Sequence, residues 1–122
     1  MPQRLLVVDD EESLRDLIAV CLEALGGWDV STAESGQEGL SKAAFTPLDA
    51  ILLDVSMPTM DGFAVYETLK AAVALQHISI VLLTAKVLPG DRVRFAQMAI
   101  AGVITKPFEP TLLCTQLATM SR

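Results

Sequence analysis

Residues 50–58 read AILLDVSMP, a run of apolar residues that meets a single carboxylate, Asp54, shortly before a proline. A continuous apolar run of this length is typical of a strand that is buried on both faces of a parallel sheet. A carboxylate at the end of such a strand is costly to bury unless water, a cation or hydrogen bonds receive it. Asp54 is therefore either a solvated strand end or a functional group.

Further apolar runs recur along the 122-residue chain. They are LLVV at 5–8, WDVSTA at 28–33, ISIVLL at 78–83 and GVIT at 102–105. The weaker run at 28–33 favours an edge strand. Because helical patterns separate the runs, the alternation predicts a doubly wound α/β fold, with helices on both faces of a five-stranded parallel sheet.

The helical segments carry recognisable start and stop signals. Ser35 and Glu38 have the spacing of a capping box, and Gly26-Gly27 is predicted to end the first helix. Later helices are predicted in GFAVYETLKAAVAL at 62–75, DRVRFAQMAI at 91–100 and EPTLLCTQLATM at 109–120. The first helix is predicted to bury one apolar stripe at spacings of three and four, formed by Leu14, Leu17, Ile18, Cys21 and Leu25.

Length and composition narrow the class of protein. We expect one domain over 1–122, with no output domain in this chain. The net charge of −6, without a basic patch, argues against direct nucleic-acid binding, and the apolar runs are too short for a membrane span. We expect a cytoplasmic protein in which Cys21 and Cys114 are reduced and packed, since they lack metal-ligand spacing.

Polar residues follow the central predicted strands at the point where each strand ends. Asp9 and Asp10 follow the first run, Asp54 the third, Thr84 the fourth and Lys106 the last. Carboxyl ends of parallel strands meet at one edge of a sheet, and ligands of such folds bind there. We interpret the next two residues, Glu11 and Glu12, as helix-start acids that complement the helix dipole.

This set of side chains suits phosphate chemistry. Clustered carboxylates repel one another, and an all-oxygen set without His or Cys favours a hard cation, Mg²⁺ before Zn²⁺, with Mn²⁺ as the alternative ion. The ammonium of Lys106 and the hydroxyl of Thr84 suit phosphoryl oxygens. The pattern indicates a phosphoryl-transfer site.

With these residues in place, the chain resembles the receiver domain of bacterial two-component response regulators. The resemblance covers 4–120 and rests on four motifs in the family's order: VVDDEE, LLDVSMPTMDG, LLTA and TKPF. It implies a flavodoxin-like sheet of order 2-1-3-4-5. It also implies that the Lys106-Pro107 peptide bond is cis. Apart from the resemblance, Gly62 follows Asp61 and is expected to serve the turn into the third helix.

The resemblance also assigns the site. Asp54 would accept a phosphoryl group from a sensor histidine kinase or a phosphotransfer protein. Asp10 and Asp54 would bind Mg²⁺ directly, Asp9 chiefly through water, and the backbone carbonyl of Ser56 would complete the protein ligands. Thr84 and Lys106 would contact the phosphoryl group. The chain would then be a signalling domain rather than an enzyme acting on other molecules, and it would bind a downstream protein or a second copy of itself through 91–120.

One position departs from the family pattern. Receivers carry an aromatic ring three positions before the lysine, where this chain has Val103, and Val103 is too small and too stiff to copy the movement of that ring. A docking module without phosphotransfer is therefore an alternative. A metal-dependent phosphatase with an aspartate nucleophile is a further one, but such enzymes use a carboxylate two positions after the nucleophile, where this chain has Ser56.

Overall fold

The computed structural model describes residues 3–57, 60–85 and 89–120, over which strands and helices alternate. The strands are β1 (Arg4–Val8), β2 (Asp29–Ala33), β3 (Ala50–Asp54), β4 (Ser79–Thr84) and β5 (Gly102–Thr105). The helices are α1 (Glu12–Gly26), α2 (Gly36–Phe45), α3 (Gly62–Ala71), α4 (Pro89–Ala96) and α5 (Pro110–Met120), and a short 3₁₀ helix, Val73–Leu75, precedes β4. Among the described residues, no helix is long and apolar enough to cross a membrane.

The five strands form one parallel sheet in the order β2-β1-β3-β4-β5, which confirms the predicted topology. The chain reverses its direction across the sheet after β2, so β1 and β3 are neighbours although α1, β2 and α2 lie between them in sequence. This switch point brings the carboxyl ends of β1 and β3 side by side, which is where ligands of doubly wound folds bind.

The central strands are buried on both faces, as their continuous apolar runs predict. Along β1, Leu5 and Val7 belong to the core cluster under α1 and α5, whereas Leu6 and Val8 belong to the cluster on the opposite face with residues of α2, α3 and α4. Strand β2 lies at one edge, and several of its side chains are only half-buried. The sheet is thus a rigid layer between two helical layers.

The predicted helix signals work through specific hydrogen bonds. Gly27 ends α1 with a φ of 67°, the left-handed conformation that glycine adopts without steric cost. The Ser35 hydroxyl accepts a hydrogen bond from the Glu38 amide at 3.1 Å. The Glu38 carboxylate accepts from the amide of Glu34 at 2.9 Å, one residue earlier than the capping-box pattern expects.

The predicted stripe of α1 is partly wrong. Its buried residues are Ile18 and Leu22, whereas Leu17 and Leu25 are 46% and 59% exposed. The apolar residues of α1 cover an arc wider than the contact with the sheet, so spacing alone does not identify the buried half. Cys21 is half-buried and Cys114 is buried, both as free thiols, and burial raises the pKa of Cys114.

The predicted extent of two later helices is also wrong. α3 ends at Ala71, and the 3₁₀ helix replaces its predicted last turn. α4 ends at Ala96 instead of continuing to Ile100. The amide of Ala99 donates to the Tyr66 hydroxyl at 2.7 Å rather than to a helical carbonyl, so a side chain of α3 fixes the end of α4.

The difference in burial between Leu22 and Leu25 predicts different effects of their substitution on stability. We expect Leu22→Ala to lower the free energy of unfolding by about 2–5 kcal/mol, because it opens a cavity beneath α1. Leu25→Ala, on the same helix, should change it by no more than about 0.5 kcal/mol. Urea unfolding followed by circular dichroism checks both, and equal effects would contradict the burial assigned to α1.

Candidate functional site

The turn from β1 to α1 holds Asp9 in a fixed position. The Asp9 amide donates to the Ala33 carbonyl at 3.1 Å, and Asp9 Oδ1 accepts from the Glu11 amide at 2.9 Å. Its carbonyl accepts from the Arg15 guanidinium at 2.8 Å. The residue is fully buried. These bonds do not use the other carboxylate oxygen, Oδ2.

Lys106 brings a positive charge to the carboxylates. Its ammonium lies 3.0 Å from Asp9 Oδ2 and 3.6 Å from Asp54 Oδ2. Burial alone would lower the pKa of Lys106, but the two carboxylates outweigh this effect, and the pKa is raised. Lys106 therefore stays protonated, and its side chain links the residue after β5 to the carboxylates at the ends of β1 and β3. The Lys106-Pro107 peptide bond is cis, as the resemblance implies.

Asp54 lies at the end of β3 and is 2% exposed. Its Oδ1 accepts a hydrogen bond from the Ser56 amide at 3.0 Å. Burial raises the pKa of Asp54, the Ser56 amide lowers it, and the charge of Asp9 raises it again, so that the net direction is upward. The site thus holds a carboxylate whose charge is poorly compensated by the protein alone.

The three aspartates predicted to bind a metal do come together. Oxygens of the Asp9, Asp10 and Asp54 carboxylates lie within 4.8 Å of one another, with Asp10 exposed to solvent. Asp9 Oδ2 is paired with the Lys106 ammonium at 3.0 Å, so one ammonium serves several carboxylates. A cluster of carboxylates with a single positive charge beside it fits a hard divalent cation such as Mg²⁺.

Thr84 is the last residue of β4 and is buried. Its carbonyl accepts a hydrogen bond from the Lys106 amide at 2.7 Å, so the backbone joins Thr84 to Lys106. The predicted contact of its hydroxyl with a phosphoryl group stays a prediction.

The loop after β3 is described only in part. Ser56 is exposed and its amide is used by Asp54, but the predicted role of its carbonyl as a metal ligand stays a prediction. Pro58, the proline that follows Asp54 in the opening stretch, lies outside the described residues together with Thr59.

Sequence reasoning missed one contact that shapes the site and gave an incomplete role to one glycine. Arg15 was predicted only as part of a helix, yet it donates to the Asp9 carbonyl. Gly62 was predicted only to serve the turn into α3, but a side chain is also sterically excluded there. A Cβ at this position would lie 2.5 Å from the Asp54 carbonyl oxygen and 2.8 Å from Val55 Cα. The sequence has no signal for either contact, because both depend on how the turns at the ends of β1 and β3 fold.

Comparison with known proteins now decides the family. Residues 5–118 match the response regulator receiver domain. The chain belongs to this family. The receiver is 39% identical over 122 residues to the response regulator PleD of Caulobacter vibrioides, covering all of this chain and 27% of PleD. It is 40% identical over 110 residues to the alkaline phosphatase synthesis transcriptional regulatory protein PhoP of Bacillus subtilis, covering 90% of this chain and 45% of PhoP. It thus spans less than half of either relative.

Solved receiver structures agree with the fold. The chemotaxis response regulator CheY4 of Vibrio cholerae is 30% identical, with a TM-score of 0.90 and coverage of 98% of this chain and 99% of that one. The receiver domain of the sensor histidine kinase PA1611 of Pseudomonas aeruginosa is 27% identical, with a TM-score of 0.84 and full coverage of both chains. That structure has a magnesium ion coordinated in its active-site cleft.

The steric role of Gly62 leads to a direct prediction. We expect Gly62→Ala to lower the free energy of unfolding by about 1–3 kcal/mol, because the new methyl group collides with the backbone of Asp54. It should also weaken Mg²⁺ binding, measured by calorimetry. Gly90→Ala is the control: a Cβ there meets nothing within 4 Å, and alanine in a helix should be neutral or stabilising by up to about 1 kcal/mol. Equal effects of the two changes would refute the prediction.

The raised pKa of Asp54 predicts its effect on stability in metal-free protein. A carboxyl group whose pKa is higher in the folded state than in the unfolded state destabilises the fold once it is ionised. We therefore expect Asp54→Asn to be more stable than the wild type without divalent cations at neutral pH. The difference should grow as pH rises through the titration of Asp54 and disappear at low pH. Thermal unfolding across pH checks this, and a less stable Asp54→Asn would contradict it.

Proposed function

We propose that this receiver accepts a phosphoryl group on Asp54 in a Mg²⁺-dependent reaction and responds by changing its contacts with other proteins. The observation that carries the proposal is the placement of Asp54. Its carboxylate is buried at the end of β3, with the Lys106 ammonium 3.6 Å away and the Asp9 and Asp10 carboxylates beside it. A nucleophile, a cationic partner for a phosphoryl oxygen and a cation-binding pair are thus supplied at one point.

In the proposed reaction a carboxylate oxygen of Asp54 attacks the phosphorus of a phosphohistidine. A phosphorus–oxygen bond forms as the phosphorus–nitrogen bond breaks, and the imidazole nitrogen keeps that electron pair. Because the donor ring carries a proton on its other nitrogen, it leaves as neutral imidazole. The product is an acyl phosphate on Asp54. Lys106 would move from its ion pairs to a phosphoryl oxygen, and the Thr84 hydroxyl would donate to another.

Asp10 and Asp54 would hold the metal directly, with Asp9 acting chiefly through water and the Ser56 carbonyl as a further ligand. When bound, Mg²⁺ supplies positive charge that offsets the repulsion between the carboxylates and the phosphoryl oxygens. Mn²⁺ would be the substitute ion. The protein's own part is positional: the Glu11 and Ser56 amides each hold one carboxylate oxygen, so that the remaining oxygens face the reaction.

The partners follow from the proposed chemistry. The phosphoryl donor would be a sensor histidine kinase or a phosphotransfer protein in the cytoplasm. The receiver 1–122 would act as one phosphoacceptor domain without turnover of other substrates. A downstream protein, or a second copy of the chain, would bind through 91–120, with no direct contact to nucleic acid or membrane.

Phosphorylation by acetyl phosphate tests the proposal. With Mg²⁺ we expect a single phosphoryl adduct by intact mass, because acetate leaves as Asp54 attacks. Without Mg²⁺ the adduct should be lost, and Asp54→Asn should show none. Asp16→Asn, which removes an exposed carboxylate on α1, is the matched control and should be phosphorylated like the wild type.

The same experiment separates the alternatives. An adduct that survives Asp54→Asn would rule out Asp54 as the acceptor. Absence of any adduct with Mg²⁺ would favour a docking module without phosphotransfer. Continuous turnover of free phosphate esters would favour a phosphatase.

A further inference from the structure

The face around Val103 contains open space where the family has an aromatic ring. Val103 is half-buried and borders a surface groove of ≈ 560 Å³ between α4 and β5. The apolar lining of the groove includes Phe95 and Ile100. A movement at the Thr84 end of β4 would therefore reach only the short side chain of Val103 and the groove beside it, where the family has a ring. Movement of Val103 would change few contacts with α4.

The start of α3, by contrast, is in direct contact with the backbone of Asp54. The Gly62 amide donates to the Val55 carbonyl at 3.3 Å, and Gly62 packs so closely on Asp54 and Val55 that no Cβ fits. The Ser56 amide, in the same short turn, bonds to Asp54 Oδ1. Any change in the bonding of the Asp54 carboxylate therefore alters the turn on which α3 begins.

The residue after Gly62 connects α3 to α4. The ring of Phe63 stacks on the ring of Phe95, with centroids 6.1 Å apart and an interplanar angle of 19°. The Arg94 guanidinium lies 3.4 Å above the centroid of Phe63. One turn later, the Tyr66 hydroxyl accepts from the Ala99 amide at 2.7 Å. α4 is thus attached to α3 both within the helix and just beyond its end.

We propose that in this receiver α4 responds to Asp54 through α3, with Phe63 and Phe95 as positioning residues, rather than through position 103. The inference rests on the proposed phosphorylation of Asp54 and specifies how it is transmitted. Phe95 connects α3 to the groove. Its ring stacks on Phe63 of α3, and the same residue lines the groove beside Val103. Movement of α3 would thereby reshape the groove.

Amide chemical shifts of the full chain, recorded with Mg²⁺ before and after addition of beryllofluoride, test this coupling. In the wild type we expect changes at Asp10 and Asp54 and also along α4. In Phe63→Leu the changes at Asp10 and Asp54 should remain, while those along α4 fall to less than about half of the wild-type size. Phe95→Leu should act in the same way. In Val103→Ala the changes along α4 should persist.

Phe45→Leu is the matched control, because Phe45 is 89% exposed on α2; it should leave all shift changes as in the wild type. Full α4 changes in both Phe63→Leu and Phe95→Leu would overturn the coupling, as would their loss in Val103→Ala. Changes at Asp10 and Asp54 without any along α4 in the wild type would overturn it too, yet leave the proposed function intact. No change at Asp10 and Asp54 would instead overturn the proposed function, and this inference with it.

Discussion

The ion pairs of Lys106 are the interaction on which the site depends. Two carboxylates at the ends of β1 and β3 are almost without solvent contact, and one ammonium lies 3.0 Å from Asp9 and 3.6 Å from Asp54. A buried charge is tolerated only where it is paired or hydrogen-bonded, and a single ammonium cannot fully compensate two carboxylates. The folded protein therefore retains an attraction for further positive charge at the place where chemistry is proposed.

Much of this arrangement could be predicted from the sequence, because residues at the carboxyl ends of parallel strands lie at the same edge of the sheet. Asp9, Asp54 and Lys106 each lie at the end of a strand or directly after it, and parallel pairing brings those strand ends to one edge of the sheet. The prediction was less reliable where contacts between distant segments decide which residues are buried and where a helix ends. The predicted stripe of α1 included Leu17 and left out Leu22, although packing buries Leu22 and leaves Leu17 46% exposed. The end of α4 depends on a hydroxyl of α3.

Two features were beyond the reach of sequence reasoning for different reasons. Gly62 is required because another backbone lies against it, and a glycine before a helix looks the same whether its neighbour is protein or solvent. Val103 was identified as a departure, but its consequence depends on what surrounds it. The structure shows a groove on one side and Phe95 nearby, which shifts attention from the short side chain to the rings that α3 and α4 share.

The acidic edge of the sheet also has a kinetic consequence. Three exposed acids, Asp10, Glu11 and Glu12, stand beside the buried carboxylates on a chain of net charge −6. Phosphoryl donors are anions, so long-range repulsion slows their encounter with this edge, and salt screens that repulsion over about 8–10 Å. A resident divalent cation would offset part of this negative charge and so weaken the repulsion. The metal content of the cell would then govern how often donor and acceptor meet, before any bond is exchanged.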